Sequence, residues 1–552
     1  MAADNSAEQF LCAPSDNEEH GLVYRQPSGY NPLSTFNLPR GEMRHFQQQY
    51  ADIYFLRLAR LKPAVAEIAV AAWEGFNIAG EHARRVDRVL DVRQGELCWV
   101  AGTIYMDLPL KPSILDDISK EHWTSAPPPR KTYLDPSNQG SATTMLEDES
   151  GRLQLTGTLL QSAVLVTGAI VAVLGTENAD GHFEVIDIKV PDLPSQPERW
   201  ERLSSAHESS KRKRSSLEGG EESSGGQRKK IALVSGLGIT GTSGDTLTLS
   251  LLTDYLLGYY DSPVQNYQGN TSTSSSQITR LIIAGNSLGR SMITPETETD
   301  TTSTTKKRHP KKYGYDATAY NASPIIQLDT FLAEILPSIP VTLMPGESDP
   351  ANFSLPQQEI HRAMLPRAKA YCSASQPGAN QPAAEPGWLD NVTNPWEGDV
   401  EGWRFWGCSG QNVDDVLRYI DLEAEDDEGS DSDKDGNARL RLMEAMLRWR
   451  CAVPTAPDTL WCYPYQSHDP FTLQACPHVF FAGNQPTFRT TIVESSAALS
   501  SSESAEEQGT RVRVIALPKF SETGEIVLVD AETLEVEVVK FGTFDKGAEG
   551  EM

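Results

Sequence analysis

Four short apolar runs in the second half of the chain each end at a glycine-containing turn. The runs are Ile231–Val234, Leu281–Ala284, Val341–Met344 and Val479–Ala482. Two stretches with helical periodicity, 247–256 and 326–335, lie between the first three runs. Short apolar runs that alternate with amphipathic helices are typical of parallel strands buried on both faces. The pattern predicts an α/β sheet whose strand ends form a shared edge, where such sheets bind ligands.

A different periodicity occupies residues 95–200. Short runs at 96–105, 152–156, 164–174 and 183–190 are rich in β-branched or alternating apolar residues. The alternation changes phase between Val185 and Ile186, which indicates a β-bulge. Short strands with glycine-containing turns predict a small Greek-key barrel of the OB type. Because single-strand binders interleave aromatic and basic residues, and these strands carry few of either, we expect the barrel to contact protein.

The segment before the barrel has helical periodicity. Apolar residues recur at three- and four-residue spacing from Phe46 to Leu61 and from Val65 to Trp73, with Pro63 between the two stretches. We predict a helical segment over 43–94, in which Pro63 ends one helix and opens the next. Residues 1–42 are polar, and we expect them to be flexible.

Polar inserts dilute the apolar content of both regions and set the charge of the chain. There are 48 basic and 76 acidic residues, and the net charge of −28 argues against binding to duplex DNA. We predict a phosphoesterase-like region over 231–543, a disordered linker over 201–230 and a tail over 544–552. Disordered inserts are predicted near 291–312, 372–395, 421–437 and 493–510.

Two basic clusters lie in or beside the linker. They are Lys211, Arg212, Lys213 and Arg214, followed by Arg228, Lys229 and Lys230. Such clusters indicate a nuclear import signal, and a merely solvated run of charge is the competing interpretation. The seven scattered cysteines form no C-x-x-C pair, which argues against a zinc ribbon or a disulfide scaffold. With a polar N-terminus and no apolar stretch long enough to cross a bilayer, we expect a soluble intracellular protein.

The turns after the apolar runs lack the residues of a metal-dependent phosphoesterase. Their spacing resembles the calcineurin-like metallophosphoesterase family, which holds two metal ions with Asp, Asn and His ligands at these strand ends. The corresponding residues here are Ser235, Leu237, Asn286, Glu347, Ser348, Asp349, Asn484 and Pro486. Losses at four separate motifs predict this fold with no catalytic residues, no bound metal and no cofactor. An active phosphodiesterase or nuclease with rearranged ligands stays open, as does a single-strand DNA-binding module.

A barrel followed by an inactive phosphoesterase domain resembles the B-subunits of the replicative DNA polymerases. Several short motifs are similar to those of the delta type: Met344–Pro350, Leu355–Gln358, Gly410–Asp415, Cys462–Tyr465 and Phe481–Pro486. The resemblance runs from about residue 25 to 543 outside the inserts, and the B-subunit of another replicative polymerase is the narrower alternative. It implies an α+β multi-domain chain with N-terminal helices, an OB-fold barrel and an α/β phosphoesterase sandwich.

The resemblance also implies a function. Members of this family are non-catalytic nuclear scaffolds for DNA replication and repair. They bind the C-terminal domain of the delta catalytic subunit and a further small subunit, which links the assembly to the sliding clamp and DNA. The catalytic subunit of DNA polymerase zeta is another implied partner, and no membrane is involved. Which residues contact each partner is not implied.

Overall fold

Three six-stranded sheets and one long helix dominate the part of the chain described by the computed structural model. The described residues are 25–39, 49–78, 80–112, 131–135, 142–199, 228–242, 246–259, 275–289, 321–373, 386–420, 431–495 and 510–542. Within them, every helix is too short or too polar to span a lipid bilayer.

The first half of the chain contains a long helix and a barrel. Its strands are β1 (Tyr30–Pro32), β2 (Asn77–Ile78), β3 (Glu81–His82), β4 (Arg84–Val86), β5 (Cys98–Asp107), β6 (Thr143–Glu147), β7 (Arg152–Thr156), β8 (Ile170–Glu177) and β9 (Phe183–Lys189). Its α-helices are α1 (Ala51–Trp73) and α2 (Leu159–Ser162).

The second half contains a two-sheet sandwich. Its strands are β10 (Lys230–Val234), β11 (Ile278–Ala284), β12 (Val341–Met344), β13 (Leu389–Asn391), β14 (Trp396–Val400), β15 (Trp403–Cys408), β16 (Val479–Gln485), β17 (Arg489–Glu494), β18 (Arg511–Pro518), β19 (Glu525–Asp530) and β20 (Val536–Lys540). Its helices are α3 (Thr246–Leu257), α4 (Ser323–Ile335), α5 (Gln411–Leu417), α6 (Asp431–Arg448) and α7 (Phe520–Thr523).

Helix α1 is continuous, so the prediction that Pro63 separates two helices is wrong. Its buried residues recur every four positions from Ile53 to Trp73, and the stripe continues past the proline. Pro63 and Ala59, whose carbonyl loses its helical N–H donor, are both exposed. Packing of the buried stripe therefore outweighs the loss of one hydrogen bond on the side that faces water. The helix ends at Trp73, and the described residues from there to the end of the predicted 43–94 segment form short strands and a 3₁₀ turn (Val89–Asp91) and no further α-helix.

The barrel confirms the predicted OB-fold. Its strands follow the order β5-β6-β7-β9-β8, and a β5–β8 pairing closes the barrel. The predicted bulge is also confirmed. Leu174 pairs with Asp187 and Gly175 pairs with Val185, which leaves Ile186 without a partner in the ladder.

The sandwich consists of two sheets packed face to face. One has the order β13-β12-β11-β10-β19-β20 and the other β1-β14-β15-β16-β18-β17. Strands β10 to β13 are parallel, as are β15, β16 and β18. The predicted Val479 strand therefore lies in the second sheet and not beside the other three. The side chains that point inward from both sheets, including Ile282, Phe405 and Phe481, form the core between the sheets.

Residues 25–39, the N-terminal strap, correct the expectation of a flexible N-terminus. Strand β1 pairs with β14, opposing Tyr30 to Val400. The Tyr30 hydroxyl donates to Asp390 Oδ2 at 2.5 Å, and Arg280 lies 3.6 Å above the Tyr30 ring centre. Further along, Phe36 is 2% exposed and belongs to a large core cluster. Two buried aromatic side chains thus hold a segment whose overall composition is polar.

Several predicted inserts are shorter than expected. Helix α6 begins at Asp431 inside the predicted 421–437 insert, and β13 forms inside 372–395. Strand β17 extends to Glu494, inside 493–510. The predicted insert 291–312 and the tail 544–552 lie outside the described residues. For 421–437, acidic composition alone overestimates the length of the insert, because the start of an amphipathic helix can also be acidic.

Candidate functional site at the strand ends and the domain junction

The four glycine-containing turns meet at one edge of the sandwich. The Asn484 backbone N–H donates to Ser235 Oγ at 2.8 Å, and the Asn484 side-chain amide donates to the Ser409 carbonyl at 2.9 Å. The Gly236 N–H donates to the Gly285 carbonyl, also at 2.9 Å. These hydrogen bonds join the turns of both sheets, so the convergence expected from the strand pattern is present.

Glycine permits the close approach of these turns. A Cβ atom on Gly346 would overlap the backbone nitrogen of Asn286, and one on Gly483 would overlap the Ala284 carbonyl. Asn286 Oδ1 accepts a hydrogen bond from the Ser348 N–H at 3.1 Å, across the same contact. The glycines of these turns therefore allow one turn to pack closely on another.

The Asp349 carboxylate is buried among backbone N–H groups. Its Oδ1 accepts from Leu288 N–H at 2.8 Å, and its Oδ2 accepts from Ser287 N–H at 3.1 Å and Gly346 N–H at 2.8 Å. Burial raises the pKa of Asp349 to about 6, although these hydrogen bonds oppose the rise. Both carboxylate oxygens are therefore used to tie neighbouring turns together.

The side chains at these turns do not fit a pair of metal ions. Ser235 Oγ donates to the Pro518 carbonyl at 3.0 Å, while Leu237 and Pro486 offer no metal ligand. Glu347 is exposed, whereas Asp349 is bound to backbone. Within the described ranges, no group of three or more His, Cys, Asp or Glu is arranged to hold a metal ion. A dinuclear centre needs several such ligands around two ions about 3.5–4 Å apart, and these turns do not supply them.

A buried ion pair connects helix α1 to the sandwich. Arg57 Nε lies 2.9 Å from Asp469 Oδ2, with the two side chains 0% and 2% exposed. The same guanidinium donates to the Pro454 carbonyl at 2.7 Å. Asp469 Oδ1 also accepts from the Phe471 N–H at 2.9 Å. Since an unpaired buried charge is costly, these contacts favour one position of the helix against this segment.

The barrel domain and the sandwich also share a hydrophobic core. Leu108 and Ala169 from the barrel domain are buried in the same cluster as Trp406 from strand β15. Tyr133, from the connection between β5 and β6, donates its hydroxyl to Asp415 Oδ1 at 2.8 Å. A shared core and buried polar contacts make the two domains one packed unit.

The two basic clusters have different surroundings. The first, Lys211–Arg214, lies outside the described residues. In the second, Lys230 is the first residue of β10, and Lys229 Nζ lies 3.0 Å from Glu401 Oε2. The predicted linker over 201–230 therefore ends earlier than expected, because Lys229 and Lys230 are part of the folded sandwich.

Sequence reasoning missed the residues that join the domains. Arg57 interrupts an apolar stripe at four-residue spacing, midway between Ile53 and Leu61. A charge at such a position is a signal for a buried partner, and it could have been noticed. Ser409 and Tyr133 carry no comparable signal, because their roles depend on turns that meet only in the folded chain.

Two family models match the chain. One, described as DNA polymerase delta subunit OB-fold domain, matches residues 49–188. The other, which describes the B-subunit of DNA polymerases alpha and epsilon, matches residues 231–490. The first covers helix α1 and the barrel, and the second covers most of the sandwich.

Relatives similar over almost the whole length are known from fungi, plants and animals. The DNA polymerase delta small subunit of Saccharomyces cerevisiae is 34% identical over 528 residues, covering 93% of each chain. That of Arabidopsis thaliana is 32% identical over 526 residues, covering 94% of this chain and 97% of the relative. DNA polymerase delta subunit 2 of Drosophila melanogaster is 30% identical over 530 residues, with 94% and 99% covered. The chain therefore belongs to the family of DNA polymerase delta small subunits, as its motifs indicated.

Proposed function

We propose that this chain is the non-catalytic scaffold subunit of a nuclear DNA polymerase delta that acts in replication and repair. It holds the C-terminal domain of the catalytic subunit and a further small subunit, through which the assembly reaches the sliding clamp and DNA. The similarity to delta small subunits over 93% of the chain carries this proposal. The catalytic subunit of DNA polymerase zeta is the second catalytic partner proposed from the family.

The phosphoesterase-like sandwich is inactive in this proposal. Support comes from the turn residues, since Ser235, Asn484 and Asp349 hydrogen bond to neighbouring turns and Leu237 and Pro486 offer no ligand. A purified chain should not hydrolyse a generic phosphodiester in the presence of Mn²⁺ or Mg²⁺. Metal-dependent hydrolysis that persists through purification and disappears in a Glu347→Ala, Asp349→Ala double variant would contradict this part of the proposal.

Rigidity supports a scaffold. A partner that contacts both domains needs them in one fixed arrangement, and the Arg57–Asp469 pair together with the shared core favours one. Binding to a preformed surface avoids the entropy cost of ordering two mobile domains at the time of assembly. Obligate interfaces commonly bury about 2,000 Å² or more, an area that a composite surface on two joined domains can supply.

The barrel supports a protein-binding role better than a single-strand DNA-binding one. Tyr105 on β5 is flanked by Lys111 at 4.2 Å and Arg152 at 4.8 Å from its ring centre, an arrangement that could stack on a base. Lys111 is only 8% exposed, however, and pairs with Asp458 of the sandwich at 2.8 Å. Arg152 pairs with Glu147 on the neighbouring strand. The Lys111 cation beside Tyr105 is thus already neutralised by a carboxylate of the sandwich.

Nuclear import is proposed to depend on Lys211–Arg214. Lys229 and Lys230 are engaged in the fold, with ion pairs to Glu401 and Glu537, and this favours the first cluster as the import signal. Replacing the four residues of the first cluster by Ala should reduce nuclear accumulation of an unassembled, fluorescently tagged chain. Arg228→Ala serves as the control within the second cluster. Unchanged accumulation of the four-residue variant would remove this part of the proposal.

Co-purification tests the scaffold role directly. The full chain is co-expressed with the delta catalytic subunit and isolated through a tag on that subunit. We expect stoichiometric recovery of the chain with the full-length catalytic subunit. A catalytic subunit without its C-terminal domain is the matched control and should recover none. Equal recovery with both forms would show that the chain binds elsewhere.

A further inference from the structure

A groove lies between helix α1 and the neighbouring strands β4 and β5. Its volume is about 420 Å³, and its apolar lining consists of Ala59, Pro63, Ala66, Val86, Trp99 and Ala101. We refer to this feature as the helix–strand groove. It is on the barrel domain, away from the turns of the sandwich described above.

Exposed apolar side chains continue the helix–strand groove beyond the cavity. Phe55, one helical turn before Ala59, is 54% exposed, and Leu90, shortly after β4, is 69% exposed. The Leu90 N–H donates to Ser150 Oγ at 3.2 Å, and the adjacent Glu149 lines the groove. Apolar side chains of this size and exposure mark contact surfaces when they flank a concave site. Their positions outside the cavity indicate an elongated occupant instead of a small molecule.

Two arginines provide positive charge along the groove. Arg85 and Arg88 both line it, and their side chains are 58% and 57% exposed. Their carboxylate neighbours, Asp87 and Asp91, are themselves 78% and 46% exposed. The exposed Arg85–Asp87 pair contributes little. Arg88 donates to both Asp91 oxygens, at 2.9 and 3.1 Å, but more than half of each arginine side chain stays accessible to an incoming carboxylate. The lining carries three basic side chains, Lys62, Arg85 and Arg88, against two acidic ones, Asp87 and Glu149, which is a small positive excess on a chain whose net charge is −28.

We infer that the helix–strand groove binds an amphipathic acidic segment of a partner subunit in the polymerase assembly. The inference rests on the proposed function, since it assigns a surface to one of the assembly partners. Apolar side chains of the segment pack on the exposed Phe55 and Pro63, and its carboxylates pair with Arg85 and Arg88. Asp87 and Glu149 also line the groove and repel carboxylates from their own side, which restricts the register of the segment.

A nucleic acid is the weaker occupant. Phosphates could pair with the same arginines, but a phosphate backbone would leave the exposed Phe55 and Leu90 without an apolar partner. The two acidic residues in the lining would also repel a continuous line of phosphates. An alternating apolar and acidic polypeptide satisfies both features.

Charge reversal at the groove provides the test. The full chain carrying Arg85→Glu and Arg88→Glu is co-expressed with the catalytic subunit and the further small subunit. We expect retention of one of the two partners to weaken at least about tenfold at low salt, with the difference from wild type shrinking as salt is raised and screens these charges. The matched control carries Arg84→Glu and Arg93→Glu, which make the same charge change in the same segment. Both control arginines face Glu96 and do not line the groove, so all subunits should be retained.

An uncharged variant and a cross-link complete the experiment. Ala59→Trp fills the groove without changing charge and should cause the same loss, at an unchanged unfolding temperature. A photo-cross-linking amino acid at Phe55 should capture a segment of a partner subunit rich in Asp and Glu. Capture of a single-stranded oligonucleotide instead, or full retention of both partners by both groove variants, would overturn the inference. Wild-type chain that retains no partner would overturn the proposed function as well, so the two failures are distinguishable.

Discussion

Replacing Arg57 by Met should loosen the attachment of the barrel domain to the sandwich. Methionine occupies a similar volume but cannot donate to Asp469 or to the Pro454 carbonyl. The Asp469 carboxylate, 2% exposed, would keep the Phe471 N–H at 2.9 Å and the Thr472 hydroxyl at 3.2 Å as donors. The perturbation therefore leaves a buried carboxylate that has lost its counter-charge.

The expected cost follows from the contacts that are lost. Removing one partner of a buried ion pair typically destabilises a protein by about 3–5 kcal/mol. The freed Pro454 carbonyl adds about 1 kcal/mol. The two donors that remain on Asp469, and its ability to take up a proton, offset part of this. We expect the free energy of unfolding to fall by about 3–4 kcal/mol near neutral pH.

Urea unfolding of the purified chain measures this change. Arg60→Met is the matched control, because Arg60 is exposed on the same helix and its replacement should change stability by less than about 0.5 kcal/mol. Adding Asp469→Leu to Arg57→Met removes the stranded charge and should recover at least about 1 kcal/mol. Equal stability of the Arg57→Met and Arg60→Met variants would refute the assignment of this ion pair as a domain connection.

Three further outcomes are expected. Gly346→Ala should destabilise the sandwich by about 1–3 kcal/mol through overlap with the neighbouring turn, whereas Gly542→Ala, which meets nothing within 4 Å, should be neutral in the same melting experiment. Burial raises the pKa of Asp349 to about 6, so its contribution to stability is fully present below its unfolded pKa of about 3.9 and is lost as pH rises through 6. The Tm difference between wild type and Asp349→Asn should therefore fall over this pH range. A Tm difference that does not change with pH would reject the raised pKa. Phe36→Ala should cost about 3–5 kcal/mol and speed proteolysis of the N-terminal strap, beside an Asn37→Ala control at an exposed position.

Strands whose burial follows from their own apolar residues were predictable from the sequence. Val341–Met344 has the predicted bounds, and the bulge at Ile186 follows from a local change of phase. The hairpin of β14 and β15 was missed because Glu401 and Gly402 form its turn with φ of 49° and 89°. Asn or Asp before glycine is the usual signal for such a turn, and glutamate is not.

Features that depend on distant partners were not predictable in the same way. Pro63 is tolerated because the buried stripe of its helix continues on another face, and Tyr30 is ordered by a sheet edge far along the chain. At the candidate site, the sequence alone shows that Leu237 and Pro486 carry side chains without a metal-ligating atom. The Arg57–Asp469 pair and the Ser409 contact could not be predicted in this way, because they depend on which turns the fold brings together.

The N-terminal strap pairs with a strand that is synthesised much later. Asn31 and Asp399 lie 368 residues apart, and at about 5–20 residues per second the strap waits roughly 20–70 s for its partner to leave the ribosome. The five barrel strands are close in sequence and can pair soon after they emerge. Strand β10 also has to wait, since one of its two neighbours is β19, near the end of the chain. A product of premature termination within the sandwich would leave apolar β10 uncovered on one side, marking it for chaperones and proteases before it could enter an assembly.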